Sequence, residues 1–303
     1  MNATPLGQLQ VIGIRYRGTT PAVEDERGLD AYAASDVYAA VEAPYDIVEP
    51  TISPDRLSGH AVVDLGRLNG EIADAVAAAR RSGSVILMTG GDCTHVTGVV
   101  GGLQDAHGPI LRLGLVWFDA HGDFNTPSTS LSGMLGGMPV AVCAGLAHPS
   151  WREGSHIAAP LPTNRIVLVD VRNLDEDEAV LIGATDVVIA ASAPGFPGER
   201  LETAIEQLAE QCDAIYLHID ADILDESLVP SHGTKEPNGP SVAQAVAAID
   251  TVMATGKVVA LALVSIYNQG DDGATSVKSG IELLKGGLQS WCQHGTVRLP
   301  LAR

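Results

Sequence analysis

The chain has 303 residues, with 18 Lys and Arg against 37 Asp and Glu, for a formal charge of −19. That balance excludes a nucleic-acid partner, which needs clustered Lys and Arg to meet phosphate, and 4% aromatic residues leave little for base stacking. The length and the 46% hydrophobic fraction allow one large core, while the acidity favours solubility and attracts cations.

In chain order, MNATPLGQLQ lacks a basic run followed by an apolar one, so no signal peptide is expected. No run of about 18 apolar residues follows anywhere, so no membrane-crossing helix is expected and a cytoplasmic location is the default. Leu9 to Arg15 reads as a first strand, and Gly66 to Arg81 as an alanine-rich amphipathic helix. Ser84 to Met88 is a buried strand ending in the turn Thr89-Gly90-Gly91-Asp92, followed by helix to about Gln104. Leu111 to Phe118 is the next strand. A polar loop, Thr126 to Gly137, precedes a small-residue helix from Met138 to Gly145. The segment His148 to Asn164 has little periodicity and reads as a surface excursion. Strands follow at Arg165 to Arg172, Asp186 to Ser192, Asp213 to Asp220 and Lys257 to Ser265, and a helix near Ser276 to Gln293 closes the chain.

These strands are almost continuously apolar, as strands covered on both faces are. The expected fold is therefore α/β, a doubly wound and mainly parallel sheet of about eight strands with helices on both faces, in one domain over residues 1–303. Cys93, Cys143, Cys212 and Cys292 lie far apart, without the spacing of a disulfide framework or a zinc knuckle. The last three read as core thiols.

The chemistry concentrates in acid-rich clusters at strand ends: Gly90 to Cys93 (GGDC), Asp119 to Asn125 (DAHGDFN) and His218 to Asp225 (HIDADILD). In open α/β sheets ligands bind outside the carboxyl ends of the strands, so these clusters can share one cleft. In an extended segment Asp119, His121 and Asp123 point to one side, roughly 6.5–7 Å apart at successive positions. Asp220 and Asp222 repeat the pattern from another strand. Buried acids in such number repel one another unless cations neutralise them. Carboxylates with one nitrogen donor suit Mn²⁺ better than a zinc tetrahedron, and two such ions can hold a bridging hydroxide that is nucleophilic at neutral pH. Asp92 reads as a helix cap.

With these motifs in order between about Leu87 and Gly239, the chain resembles the arginase, agmatinase and formiminoglutamase superfamily, the ureohydrolases. The resemblance implies a three-layer arginase-like fold and two Mn²⁺ per chain. Cys93, Asp119, Asp123 and Asp220 would hold one ion, and Asp119, His121, Asp220 and Asp222 the other. It makes Asp123 the base that orients the bridging hydroxide. It also sets Asn125, Ser132, Asp175, Glu178, Thr234 and Ser265 against the substrate, and implies a homo-oligomer, a trimer or hexamer.

Departures from the family pattern narrow the activity. Cys93 stands where relatives carry a histidine ligand, so a single ion is a possible outcome; His95, two residues on, is expected to pack elsewhere. Gly136, in Leu135 to Pro139 (LGGMP), replaces a proton-shuttle histidine. With the wording GDFNTP, these two changes resemble the N-hydroxyarginine hydrolase branch found in antibiotic pathways. Ser265 replaces the carboxylate that pairs with a guanidinium, and the acids nearest downstream are Asp271 and Asp272. The expected activity is hydrolysis of a linear C–N bond in a guanidino or N-hydroxyguanidino compound. The alternatives are a formimino or amide substrate at the same metals, or a catalytically silent paralogue. Of the remaining histidines, His60, His107, His148, His156, His218 and His294 read as surface or packing residues. His232, beside Gly233 and Thr234, is expected to border the cleft.

Overall fold

The computed structural model describes residues 3–302. The main sheet consists of β1 (Leu9–Ile14), β2 (Tyr45–Val48), β3 (Val85–Gly90), β4 (Leu113–Phe118), β5 (Ile166–Val169), β6 (Val188–Ala191), β7 (Glu199–Arg200), β8 (Ala214–Asp220) and β9 (Val258–Val264). Its order is β2-β1-β3-β9-β8-β4-β5-β6-β7, and every neighbouring pair runs parallel. Nine strands stand where about eight were expected and seven were located. The two not located are edge pieces without an apolar run: β2 is exposed throughout, and β7 has only two residues.

The helices are α1 (Leu29–Ala34), α2 (Ala61–Arg81), α3 (Val96–His107), α4 (Pro139–Cys143), α5 (Pro149–Gly154), α6 (Glu176–Gly183), α7 (Leu201–Gln211), α8 (Val242–Met253) and α9 (Gly273–His294). Side chains alternate across each strand, so the central strands feed two cores. Leu87, Val116, Phe118, Leu217 and Leu261 meet α7, α8 and α9 on one face. Met88, Leu115, Trp117, Tyr216 and Ala262 meet α2 to α5 on the other. This double burial explains why the strands read as continuous apolar runs. Cys143 and Cys212 are core thiols as expected, but Cys292 is only half-buried on α9.

The segment after His148 is not a surface excursion. It forms α5, whose Trp151 is fully buried and donates from Nε1 to Thr97 Oγ1 at 3.0 Å. Glycines on α2 and α3 create this packing, since a Cβ at Gly66 would lie 2.9 Å from the Ser150 carbonyl oxygen. One at Gly101 would overlap the Ser155 carbonyl oxygen outright. Gly101→Ala is therefore expected to destabilise the fold by about 3 kcal/mol or more, because backbone cannot yield as a side chain can. A melting temperature within about 1 °C of wild type would refute this packing.

The order of the central strands sets the position of the site. β3 precedes β4 in sequence, yet β9 and β8 lie between them. The chain's winding reverses across these four strands, and their carboxyl ends open a crevice there. All three acid-rich clusters, and Ser265 after β9, reach this crevice.

Candidate metal centre and active site

A cavity of about 780 Å³ sits over the carboxyl ends of β3, β9, β8 and β4. Its floor holds Cys93, Asp119, His121, Asp123, Asp220, Asp222, His232 and Ser265, and its walls include Asn125, Ser132, Gly136, Asp175, Glu178, Thr234 and Tyr267. Donor atoms converge in three groups: Cys93, Asp119 and Asp220; Asp119, His121 and Asp222; and Asp220, Asp222 and His232.

The β4 exit begins as an extended segment. His121 Nδ1 lies 3.2 Å from both Asp119 Oδ1 and Asp222 Oδ2. The alternation stops at Asp123, whose φ of 48° turns the chain into the left-handed region. Asp123 faces the cavity but joins none of the three donor groups among the described residues. The β8 exit supplies Asp220, which caps the following turn by accepting from Asp222 N at 3.0 Å.

Electrostatics of this floor fit a cation. Burial, then Asp222 and Asp123, push the Asp119 carboxyl well above the usual carboxylate range. Asp123 is pushed up as well, chiefly by burial. Burial opposes the charge on His121 too, but Asp119 and Asp222 overcome it and raise the imidazole to about 12. Asp220 is held low despite burial, because His232, Cys93 and Ser265 surround it. Buried acids driven toward protonation by one another are what a divalent ion relieves. A hard ion with oxygen and imidazole donors matches this set.

Cys93 is buried on the short turn after β3, where Asp92 caps Thr94 N at 3.1 Å and accepts from Gly18 N at 2.7 Å. Its Sγ donates to Asp220 Oδ2 at 2.8 Å. Burial, then Asp220, Asp123 and Asp119, push the thiol well above its ordinary range. His95 is fully buried and turned away, with Nε2 3.0 Å from the Gly18 carbonyl oxygen. His218 is a packing residue: its ring stacks on Trp117 at 3.8 Å, and burial lowers it to about 3.

A family model described as the arginase family matches residues 13–285. The chain belongs to the arginase family. These are hydrolases acting on C–N bonds in amidines and guanidines. This arginase-family chain is 34% identical over 172 residues to the arginase of Bacillus caldovelox, a match covering 55% of this chain and 56% of that enzyme. That match thus spans little more than half of the relative's length. The arginase of Glaciozyma antarctica (strain PI12) is 30% identical over 252 residues, covering 80% of this chain and 68% of the relative. The crystal structure of arginase from Bacillus cereus shares the fold, with a TM-score of 0.77 at 24% identity over 93% of this chain and 98% of that one.

The wall of this arginase-family site is a hydrogen-bonded unit. Asn125 Nδ2 donates to Asp175 Oδ2 at 3.2 Å, and Thr129 Oγ1 donates to Asn125 Oδ1 at 2.8 Å. Asp175 caps α6 in a capping box with Glu178, whose Oε1 accepts from Phe124 N at 2.8 Å. Thr234 Oγ1 donates to Asp222 Oδ2 at 3.2 Å. Ser132 is exposed at the cavity edge. Ser265, at φ 62°, donates from Oγ to Asp220 Oδ2 at 2.6 Å. Asp271 and Asp272 are exposed and do not line the cavity, so neither takes the place of a carboxylate at Ser265. A Cβ at Gly136 would meet nothing within 4 Å, so the position faces open space.

Two residues escaped the sequence reading. Glu236 Oε1 lies 3.5 Å from His121 Nε2 and accepts from Asn173 Nδ2 at 2.6 Å. Its place two residues after Thr234, in a loop already expected beside the cleft, was the available signal. Arg172 donates to the carbonyl oxygens of Asp222, Ile223, Leu224, Glu236 and Pro237, clamping the β8 exit to that loop. Arg172 stands in the segment VRNLDEDE that carries Asp175 and Glu178, but nothing in that segment signals the clamp. Glu236→Gln is expected to lower metal affinity about 10-fold, as loss of a partner that orients a ligand imidazole does. Unchanged affinity by titration calorimetry would show that Glu236 does not orient His121.

Proposed function

We propose that this chain is a Mn²⁺-dependent hydrolase of a linear C–N bond in an N-hydroxyguanidino or guanidino compound, working as a single ureohydrolase-type domain. The observation that carries the reading is the convergence of Asp119, His121, Asp220 and Asp222 donor atoms on the floor of the cavity. Two Mn²⁺, when bound, supply a water made nucleophilic at neutral pH and polarise the carbon under attack. Asp123, facing the cavity without a side-chain partner among the described residues, would orient that water, take its proton and pass it to the nitrogen of the departing amine. The Asn125–Asp175 pair binds the amino-acid end of the substrate, with Ser132 at the edge and Glu178 holding the wall in place.

Ser265 and Gly136 favour the N-hydroxylated substrate. A serine hydroxyl cannot neutralise a guanidinium as a bidentate carboxylate does. N-hydroxylation lowers the basicity of the group, so it sheds its charge at less cost than a guanidinium and can be held by hydrogen bonds. The Ser265 proton is already given to Asp220, which leaves its oxygen to accept one. Gly136 leaves room for the added hydroxyl. A cytoplasmic homo-oligomer, carried by the likeness to the family, completes the proposal.

Turnover of Mn²⁺-loaded protein on arginine, N-hydroxyarginine, agmatine and formiminoglutamate tests it. N-hydroxyarginine should give hydroxyurea with kcat/KM at least about 10-fold above arginine, about 1.4 kcal/mol in the transition state. Turnover of formiminoglutamate alone would overturn the guanidino reading in favour of a formimino substrate.

A further inference from the structure

We infer that His232 is a metal ligand of this chain, holding through Nε2 an ion shared with Asp220 and Asp222. The inference rests on the metal-hydrolase reading above and assigns a residue to it. His232 is 5% exposed, and its Nε2 has no hydrogen-bond partner among the described residues. It nevertheless lies 3.2 Å from Asp220 Oδ1, and Nδ1 lies 3.6 Å from Asp222 Oδ2. Nε2 thus meets Asp220 without making a hydrogen bond, and the second carboxylate lies on the Nδ1 side of the ring; a buried ring nitrogen left so is costly unless something binds there.

The spacing fits coordination. Donors at about 2.0–2.2 Å from one ion, at right angles, lie about 3 Å apart. The His232–Asp220 distance matches the 3.2 Å that separates His121 Nδ1 from Asp119 and from Asp222. Asp220 faces Cys93 through Oδ2 and His232 through Oδ1. Sulfur is a soft donor poorly matched to a hard ion, whereas an imidazole on the opposite side of the same carboxylate suits it better.

The loop after β8 fixes the ring. Tyr267 meets it edge-on at 5.1 Å. Nδ1 accepts from Thr234 N at 3.2 Å and lies 3.4 Å from Thr234 Oγ1. Ligation through Nε2 places the ring proton on Nδ1, where Thr234 N gives up its hydrogen bond and Thr234 Oγ1 accepts the proton instead. Binding should therefore switch the His232 tautomer from Nε2–H to Nδ1–H.

Mn²⁺ titrations of wild type, His232→Ala, His232→Gln and, as a control on α9 away from the cavity, His294→Ala, followed by calorimetry and by the free-ion paramagnetic resonance signal, test this. Both His232 variants should lose one ion, or bind it at least about 10-fold more weakly, while His294→Ala keeps wild-type stoichiometry. Wild-type binding in both His232 variants would overturn the inference and leave the metal-hydrolase reading standing. A wild-type protein that binds no Mn²⁺ would overturn both. Should the variants not fold, wild-type protein with ¹⁵N-labelled histidine decides: Zn²⁺ moves the proton to Nδ1 of His232, or, against the inference, leaves it on Nε2.

Discussion

Asp119→Asn will lower Mn²⁺-dependent turnover at least about 1,000-fold, a loss of about 4 kcal/mol in transition-state stabilisation. Asp119 belongs to two of the three donor groups, so one substitution removes a carboxylate from both halves of the centre. Its Oδ1 accepts from His121 N at 2.7 Å and its Oδ2 from Trp117 Nε1 at 3.1 Å. An amide of the same shape loses the charge, and its NH₂ must turn against one of these two N–H donors, which costs one hydrogen bond. In metal-free protein the lost charge acts the other way. The Asp119 carboxyl is pushed up by burial and by Asp222 and Asp123, so removing its charge relieves repulsion. The metal-free variant should lose no more than about 1–3 kcal/mol, the cost of that one hydrogen bond offset by the relieved repulsion. Kinetics and melting curves on the same preparations check both halves. A variant that keeps wild-type turnover, or wild-type Mn²⁺ stoichiometry and affinity, would contradict Asp119 as a shared ligand.

Mn²⁺ will raise the melting temperature by about 8 °C per ion near pH 8 and by much less near pH 5. At a free concentration 1,000-fold above Kd, one ion adds about 4 kcal/mol, and at this size about 2 °C accompanies each kcal/mol. The pH dependence follows from the metal-free floor. Asp119 and Asp123 have raised values in the folded chain, so the native state binds more protons than the unfolded one. Stability from these groups is then lost as pH rises from the ordinary carboxylate range, about 4, through the raised values. His121, raised to about 12, contributes stability that is complete below about 6.5 and lost between there and about 12. Asp220, held low, gives up its contribution only in strong acid. Between pH 5 and 9 the floor of the metal-free protein therefore weakens with rising pH, while deprotonated ligands bind the ion better. Melting curves across that range, with and without chelator, measure the difference. A metal-induced shift that is equal at both ends, or larger at pH 5, would contradict this floor.

The central strands were legible because burial on both faces writes itself as an unbroken apolar run, as in Leu113–Phe118 and Val258–Val264. β2 was not, since an exposed edge strand such as Tyr45–Val48 carries no such run. The α5 segment was misread because its burial rests on one residue, Trp151, packed where Gly66 on α2 removes a side chain. Periodicity does not register a contact made by the absence of a Cβ.

The acids of the floor were legible from DAHGDFN and HIDAD after apolar strands. Their number alone called for cations, and the structure brings Asp119, His121, Asp220 and Asp222 together. The backbone at Asp123 was not readable, because alternation assumes an extended chain that a φ of 48° interrupts. Nor were the exact roles of Glu236 and His232. Both sit on an irregular loop folded back by Arg172, by Asp225 N on Pro240 O at 3.2 Å, and by Glu226 N on Glu236 O at 3.1 Å. Such long-range backbone contacts leave no local pattern.

The measurement closest to the centre of this account counts Mn²⁺ per chain in the same sample whose turnover of N-hydroxyarginine and arginine is followed. Two ions per chain, with hydroxyurea released faster than urea, is the expected result. Ions bound without release of either product, or no ion bound at all, would contradict it.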